Sequence, residues 1–330
     1  MKSPQSTYLV TRTHGLLRHL LKQNDLDLIN NAKNLKVAIE LIPKSEYIRI
    51  AQIPYVDAAT LEKIFLEKMV ERFYFVVKIT SRNTQKFFQT YSSKFEIENI
   101  KRILHAKHEG ETIQEEDLIP LSKEYIQVNF SALMKTRNIR EAVELMRLTD
   151  YRHLLNDLGL YDKYDMISVL EASLDKNYYE RLHKELEKLQ DKKIVEHLLN
   201  LEVELKNISL ILSLKLRGLE PSVIRDMIIP YYYKVRKNSM ESLIEAKIEN
   251  FPNSLRKADY TKVADELQSA LKERTMKKVE KLLSDKIYDE APKIMREKPF
   301  SVGYILGYLL LCEREEKQLV EIITAKQFIY

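Results

Sequence analysis

Apolar side chains recur three and four residues apart along most of the chain, and stretches of alternating β-branched and polar residues are few. Leu198, Leu201, Leu205, Ile208 and Leu212 trace one such stripe, the signature of a helix with one buried face. The run Phe73-Tyr74-Phe75-Val76-Val77 is an exception; a short continuous apolar segment fits a strand or a buried helix equally well. Pro43, Pro54, Pro120, Pro221, Pro230, Pro252, Pro292 and Pro299 mostly fall between periodic segments, where a missing N–H interrupts no helical hydrogen bond. The pattern predicts an all-α chain.

The periodic segments repeat. Asn34-Leu35-Lys36-Val37-Ala38-Ile39-Glu40-Leu41-Ile42, followed by Ser45-Glu46-Tyr47, matches Asn138-Ile139-Arg140-Glu141-Ala142-Val143-Glu144-Leu145-Met146, followed by Thr149-Asp150-Tyr151, at an offset of 104 residues. At the same offset Leu66-Glu67-x-x-Val70-Glu71-Arg72-x-Tyr74-Phe75 matches Leu170-Glu171-x-x-Leu174-Asp175-Lys176-x-Tyr178-Tyr179. Val279-Glu280-x-x-Leu283, then Asp285-Lys286-x-Tyr288, gives a third copy with one inserted residue. A closing element follows in each. Glu96-x-x-Asn99-Ile100-x-x-Ile103-Leu104-x-x-Lys107 recurs as Glu204-x-x-Asn207-Ile208-x-x-Ile211-Leu212-x-x-Lys215 and as Glu315-x-x-Gln318-Leu319-x-x-Ile322-Ile323-x-x-Lys326.

Gly110 and Gly218 stand three residues past the closing lysines of the first two copies, where a helix end uses a left-handed residue. In the third copy the opening element survives only as Lys262-Val263-Ala264 and Leu271 to Thr275. The repeats predict three homologous helical domains, 1–120, 121–238 and 239–330. A period above 100 residues is too long for the common helical solenoids. Three similar domains packed around an axis give a pseudo-threefold ring or funnel with an axial cavity, because repeated surfaces make repeated contacts that close.

Composition narrows the chemistry. The chain has 330 residues, 45% of them hydrophobic, enough for a large core, but only six glycines. No G-x-G-x-x-G or G-x-x-x-x-G-K-[ST] phosphate loop occurs. A single cysteine, Cys312, excludes an intrachain disulfide and a Cys-based zinc site and fits a reducing compartment. The net charge of +5 is spread over the three domains as +3, +2 and 0, without the strongly basic face that gripping phosphates favours. The longest uncharged apolar run, Phe300 to Cys312, has 13 residues, too few to cross a bilayer. Met1-Lys2-Ser3-Pro4 begins no signal-peptide apolar stretch, so a soluble, cytoplasmic protein is expected.

On a helix, Glu96, Asn99 and Lys107 share a face, as do Glu204, Asn207 and Lys215, and Glu315, Gln318 and Lys326. A polar set kept in three domains of one chain serves what the domains have in common, which is folding. The carboxylate and amide are expected to tie off backbone or side-chain donors where two helices meet. His105 and His108 have a metal-ligand spacing, but no third ligand lies nearby, and a last helical turn favours histidine anyway. Tyr231-Tyr232-Tyr233-Lys234-Val235-Arg236-Lys237 mixes rings with cations as single-strand binders do; an anchored inter-domain connection is the simpler reading. Gly303-x-x-x-Gly307 is read as a close approach of two soluble helices. The acidic stretch Glu109, Glu111, Glu115, Glu116 and Asp117 is a solvated linker face or a candidate partner surface. No Ser/His/Asp or Cys/His pattern stands out.

The tripled Glu-x-x-Asn-Ile-x-x-Ile-x-x-x-Lys helix resembles the C subunit of archaeal and bacterial A/V-type ATP synthases, whose eukaryotic relative is the d subunit of the vacuolar proton pump. The Leu170 to Tyr179 segment, Tyr8-x-x-x-Arg12 with Leu16-Leu17, and Gly303-Tyr304-Ile305-Leu306-Gly307-Tyr308-Leu309 share that resemblance, which spans the chain. Departures are Gln318 and Leu319 in the third copy, the blurred third opening, and the segment after Pro230. The resemblance implies an all-helical, pseudo-threefold funnel that serves as a non-catalytic part of the rotor, with no active site, cofactor or metal. It implies a seat on the cytoplasmic face of the membrane proteolipid ring, with the tip of the shaft, made of the D and F subunits, held in the funnel, and neither nucleic acid nor small-molecule substrate. Stripped of the resemblance, the same repeats would suit a helical scaffold of another assembly.

Overall fold

The computed structural model describes residues 4–52, 57–273 and 276–327; Met1 to Ser3, Pro54, Arg274 and Thr275 lie outside them. The described residues form α-helices, a few 3-10 turns and no strand. In chain order the helices are α1 (Pro4–Leu17), α2 (Gln23–Asn30), α3 (Leu35–Leu41), α4 (Ile48–Gln52), α5 (Ala58–Ile79), α6 (Arg82–Ser92) and α7 (Lys94–Glu109). Then come α8 (Phe130–Met134), α9 (Ile139–Leu145), α10 (Leu154–Tyr164), α11 (Ile167–Leu186), α12 (Lys192–Leu216), α13 (Pro221–Met227) and α14 (Lys237–Glu245). The last are α15 (Phe251–Lys257), α16 (Thr261–Glu273), α17 (Lys277–Glu297) and α18 (Val302–Lys326). The ambiguous run from Phe73 to Val77 is helical, inside α5.

Contacts gather the chain into two compact units, one of Met1–Arg102, Ile113–Ile126 and Ile294–Tyr330, the other of Ile103–Thr112 and Gln127–Lys293. This partition differs from the threefold division of the sequence by its repeats. In the first unit α18 lies along α5 and touches α1, α2 and α3. Leu319, Ile322 and Ile323 of α18 join Leu26, Ile29, Ala38, Ile42, Leu61 and Phe65 in one core. Gly303 and Gly307 are buried in the first turns of α18. Further along α5, Phe73 stacks on Tyr91 at 5.9 Å between ring centroids and meets Phe95 edge-on at 4.9 Å. In the second unit α11 packs against α10, α12 and α13, and the predicted stripe Leu198, Leu201, Leu205, Ile208 and Leu212 is buried along α12.

Local sequence explains the repeated boundaries. Asn34 and Asn138 cap α3 and α9 with the same geometry, φ −154°, ψ 175° and φ −151°, ψ 171°, each accepting from a backbone N–H three residues on. An asparagine oxygen there satisfies one of the free first-turn donors. α3, α9 and α15 have seven residues each. The third opening element is therefore α15, followed by Tyr260 where the others have Tyr47 and Tyr151, and Lys262-Val263-Ala264 belongs to α16. Phe251 and Pro252 replace the residues that would have betrayed it by identity; Pro252 is tolerated in a first turn, where its N–H has no helical partner. Pro292 departs from the punctuation rule, lying inside α17. It removes one interior hydrogen bond, close to where that helix passes from one unit to the other at Lys293 and Ile294.

Gly110 and Gly218 end α7 and α12 with φ of 72° and 77°. The N–H after each reaches back five residues, Glu111 to the Ala106 carbonyl at 2.7 Å and Leu219 to the Leu214 carbonyl at 3.1 Å, the bond of a Schellman stop. A Cβ at Gly218 would meet no atom within 4 Å, so any penalty there comes from backbone conformation alone. Gly218→Ala should lower the unfolding free energy by about 1 kcal/mol. Gly159→Ala, inside α10 with equal room, should raise it by about 0.5–1 kcal/mol. Urea unfolding of both variants checks the pair of opposite signs.

Candidate functional site

The polar positions of the repeat form an extensive buried hydrogen-bonded set. Asn207 is fully buried; its amide donates to the Ile229 carbonyl at 2.8 Å and accepts from the Ile229 N–H at 2.9 Å. Asn99 holds Ile119 in the same way, at 2.9 Å and 2.7 Å. The side-chain amide thus imitates a peptide group and satisfies both backbone groups of one residue. The partner in each case is an irregular segment, not another helix as expected from the sequence. Helical backbone has spent its N–H and C=O groups on itself, and only irregular chain has both to offer. In the third copy Gln318 is half-buried and, among the described residues, makes no such bond.

The carboxylates are buried too. Glu204 accepts the Val235 N–H at 2.6 Å and the Tyr260 hydroxyl at 2.5 Å. Glu315 accepts the Leu21 N–H at 2.6 Å, the Tyr47 hydroxyl at 2.6 Å and Nη1 of Arg72 at 2.6 Å. Glu96 is 1% exposed. Burial and then the neighbouring carboxylate raise the hydroxyl pKa of both Tyr47 and Tyr260, so each tyrosine stays a donor. Burial opposes the charge of Arg72, but Glu315 beside it keeps the guanidinium protonated. Lys286, 3.8 Å above the Tyr260 ring, takes the place of Arg72 beside the middle clasp.

The closing lysines finish each set. Lys107 donates to the carbonyls of Met134 at 3.0 Å and Thr136 at 2.6 Å, and Lys215 to those of Ile244 and Ala246, the latter at 2.6 Å. Lys326 donates to the Ala32 carbonyl at 2.5 Å. Burial lowers the pKa of Lys107 and Lys215, against the nearby Glu141 and Glu245. Thr136, Ala246 and Ala32 each lie just before a short opening helix, α9, α15 and α3. The first closing helix therefore bonds into the second opening, the second into the third, and the third into the first.

The other candidates are absorbed in packing. His108 pairs through Nδ1 with the Tyr161 hydroxyl at 3.0 Å, and no group of three metal-binding side chains occurs among the described residues. The Tyr231 ring stacks on His183 at 3.5 Å, the Tyr233 hydroxyl meets Nδ1 of His197 at 2.8 Å, and Val235 is buried. That segment is an anchored strap on α11 and α12. Cys312 is buried, which pushes its thiol up to about 12. Glu109, Glu111, Glu115, Glu116 and Asp117 are exposed. The carbonyls of Glu116 and Asp117 accept from Lys63 and Arg102.

A match to the ATP synthase (C/AC39) subunit family covers residues 9–328 and takes in all three closing helices. The chain belongs to that family. Similar relatives are the A-type ATP synthase C subunits of Methanothermobacter thermautotrophicus, 27% identical over 83% of this chain and 72% of the relative, and of Methanocaldococcus jannaschii, 25% identical over 92% and 78%. That of Pyrococcus furiosus is 24% identical over 96% of this chain and 85% of the relative. As a C/AC39 member the chain is an accessory part of an ATP synthase complex and not one of its catalytic subunits. No helix among the described residues is long and apolar enough to cross a membrane.

Asn207→Ala strands the buried N–H of Ile229, whose carbonyl keeps the Tyr231 N–H at 2.9 Å, and should destabilise by about 1–3 kcal/mol. Gln318→Ala, at the matching place in the third copy, should stay within about 0.5 kcal/mol of the parent. Denaturant unfolding of the two checks the difference, and equal losses would show that the asparagine bridge carries no special weight.

Proposed function

We propose that the chain is the non-catalytic central-stalk component that couples the D–F shaft to the membrane proteolipid ring, so that rotation links ATP synthesis or hydrolysis to proton or sodium transport. In this reading the domains 1–120, 121–238 and 239–330 close into a pseudo-threefold funnel with an axial cavity. The observation that carries it is the cyclic order of the lysine bonds, Lys107 to Thr136, Lys215 to Ala246 and Lys326 to Ala32. A repeat whose last member bonds to its first supports the ring of this reading, and a ring suits a collar around a shaft.

The physical demand on such a collar is load. Each elementary charge crossing the membrane releases about 2.3 kcal/mol per 100 mV, and several crossings accumulate per catalytic event. A coupling held by marginal surface contacts would yield before transmitting that work. Bonds closed by buried Asn207, Glu204 and Glu315 resist slippage, because separating them leaves charged and polar groups unsatisfied. The collar binds at the cytoplasmic face of the membrane and requires neither cofactor, metal nor nucleic acid. The exposed stretch from Glu109 to Asp117 is a candidate contact surface for either partner.

The purified chain should co-elute with the D–F pair and with the detergent-solubilised ring, and should hydrolyse no ATP by itself. Failure to bind either at any salt concentration, with recovery of unrelated soluble partners from native membranes, would favour a scaffold of another assembly.

A further inference from the structure

The turn between α9 and α10 carries the most exposed large apolar side chain among the described residues. Leu148 is 90% exposed, and Leu145, at the end of α9, 54%. They border an open groove of about 860 Å³ whose apolar wall continues through Leu155 and Leu158 of α10. A lone surface leucine is ordinary, but two beside a leucine-lined groove form a patch that calls for a partner. In the first repeat Leu41, which ends α3, and Ile48, which begins α4, are exposed on the equivalent turn. Four of the eight large apolar residues exposed among the described ones thus sit on two equivalent turns.

Charge indicates the kind of partner. Every carboxylate from Glu141 to Asp162 is engaged within the protein. Glu141 accepts the Arg137 N–H at 3.0 Å, Glu144 pairs with Arg147 at 3.0 Å, and Asp150 meets Gln127 at 2.8 Å and Arg181 at 3.1 Å. Asp157 accepts the Ser173 hydroxyl at 2.5 Å, and Asp162 holds Arg140 at 2.5 Å. The ammonium of Lys135 and the guanidinium groups of Arg137 and Arg152 are exposed and, among the described residues, have no partner. Arg152 follows Leu148 by four residues, and Arg137 follows Thr136, which lines the groove. Lys44 and Lys257, which stand where Leu148 does in the other two turns, are likewise exposed and unpartnered.

We propose that the α9–α10 turn is a contact with anionic phospholipid, in which Leu145 and Leu148 enter the interfacial layer and Arg137 and Arg152 meet headgroup phosphates. Free cations beside protruding leucines are the combination that holds a peripheral protein to such a surface. The inference rests on the collar reading above, which brings the chain to the membrane face.

The test uses the full chain and co-sedimentation with vesicles of phosphatidylcholine, alone or mixed with an equal part of phosphatidylglycerol. The parent chain should bind the mixed vesicles, lose that binding as salt rises, and ignore the zwitterionic ones. Leu148→Asp and Arg152→Glu, both at exposed positions, should each weaken binding by about tenfold. Leu216→Asp, exposed at the end of α12, should leave it unchanged. No binding by the parent chain, or equal binding by Leu148→Asp and Leu216→Asp, would overturn the proposal. So would loss of ring co-elution by Leu148→Asp with vesicle binding intact, which would make the turn a protein contact. The detergent-solubilised ring, tested in parallel, separates the two readings: a parent chain that binds the ring but not the vesicles refutes the lipid contact alone, and one that binds the vesicles but not the ring supports the lipid contact and refutes the collar.

Discussion

An ammonium group near the end of each closing helix, held by carbonyls at the entrance to the next repeat, is the contact on which the arrangement depends. Lys107, Lys215 and Lys326 reach Thr136, Ala246 and Ala32, and the carboxylates and amides earlier on the same helices reach other parts of the following segment. A repeat would otherwise be free to pack upon itself. Because Glu96, Asn99, Glu204, Asn207, Glu315 and Lys326 are buried, each requires a partner of fixed geometry, and hydrophobic contact alone would not set the register so narrowly.

The same bonds tie stability to the proposed role. A rotor collar must hold under torque without an active site to organise it, so its chemistry is spent on cohesion. The third set differs from the other two in ways that fit its surroundings. Arg72 adds a buried ion pair at Glu315, where the last helix meets the opening of the chain, and Gln318 gives up the amide bridge. Breaking such a pair leaves an uncompensated buried charge, and this makes it a strong latch even where its net contribution to folding is small.

Much of this was legible in the sequence because repetition isolates it. Glu204, Asn207 and Lys215 stand out among many similar residues only through their counterparts at Glu96, Asn99, Lys107, Glu315 and Lys326, and Gly110 and Gly218 announced their helix ends through backbone strain that only glycine avoids. The partners were not legible. A lysine bonded to a carbonyl leaves no mark on the acceptor's side chain, so a threonine, Thr136, stands where the other two copies have Ala246 and Ala32. For the same reason α15 is not legible as a repeat element: what it shares with α3 and α9 is length, place and the tyrosine behind it.

The central claim, that the last closing helix is bonded into the first opening as the middle one is into the third, is tested most directly by two double-mutant cycles. One pairs Tyr47→Phe with Glu315→Gln, and the other Tyr260→Phe with Glu204→Gln, each read by unfolding free energy. Both pairs should show coupling of about 1–3 kcal/mol. Additive losses at Tyr47 and Glu315, beside clear coupling at Tyr260 and Glu204, would contradict the cyclic closure.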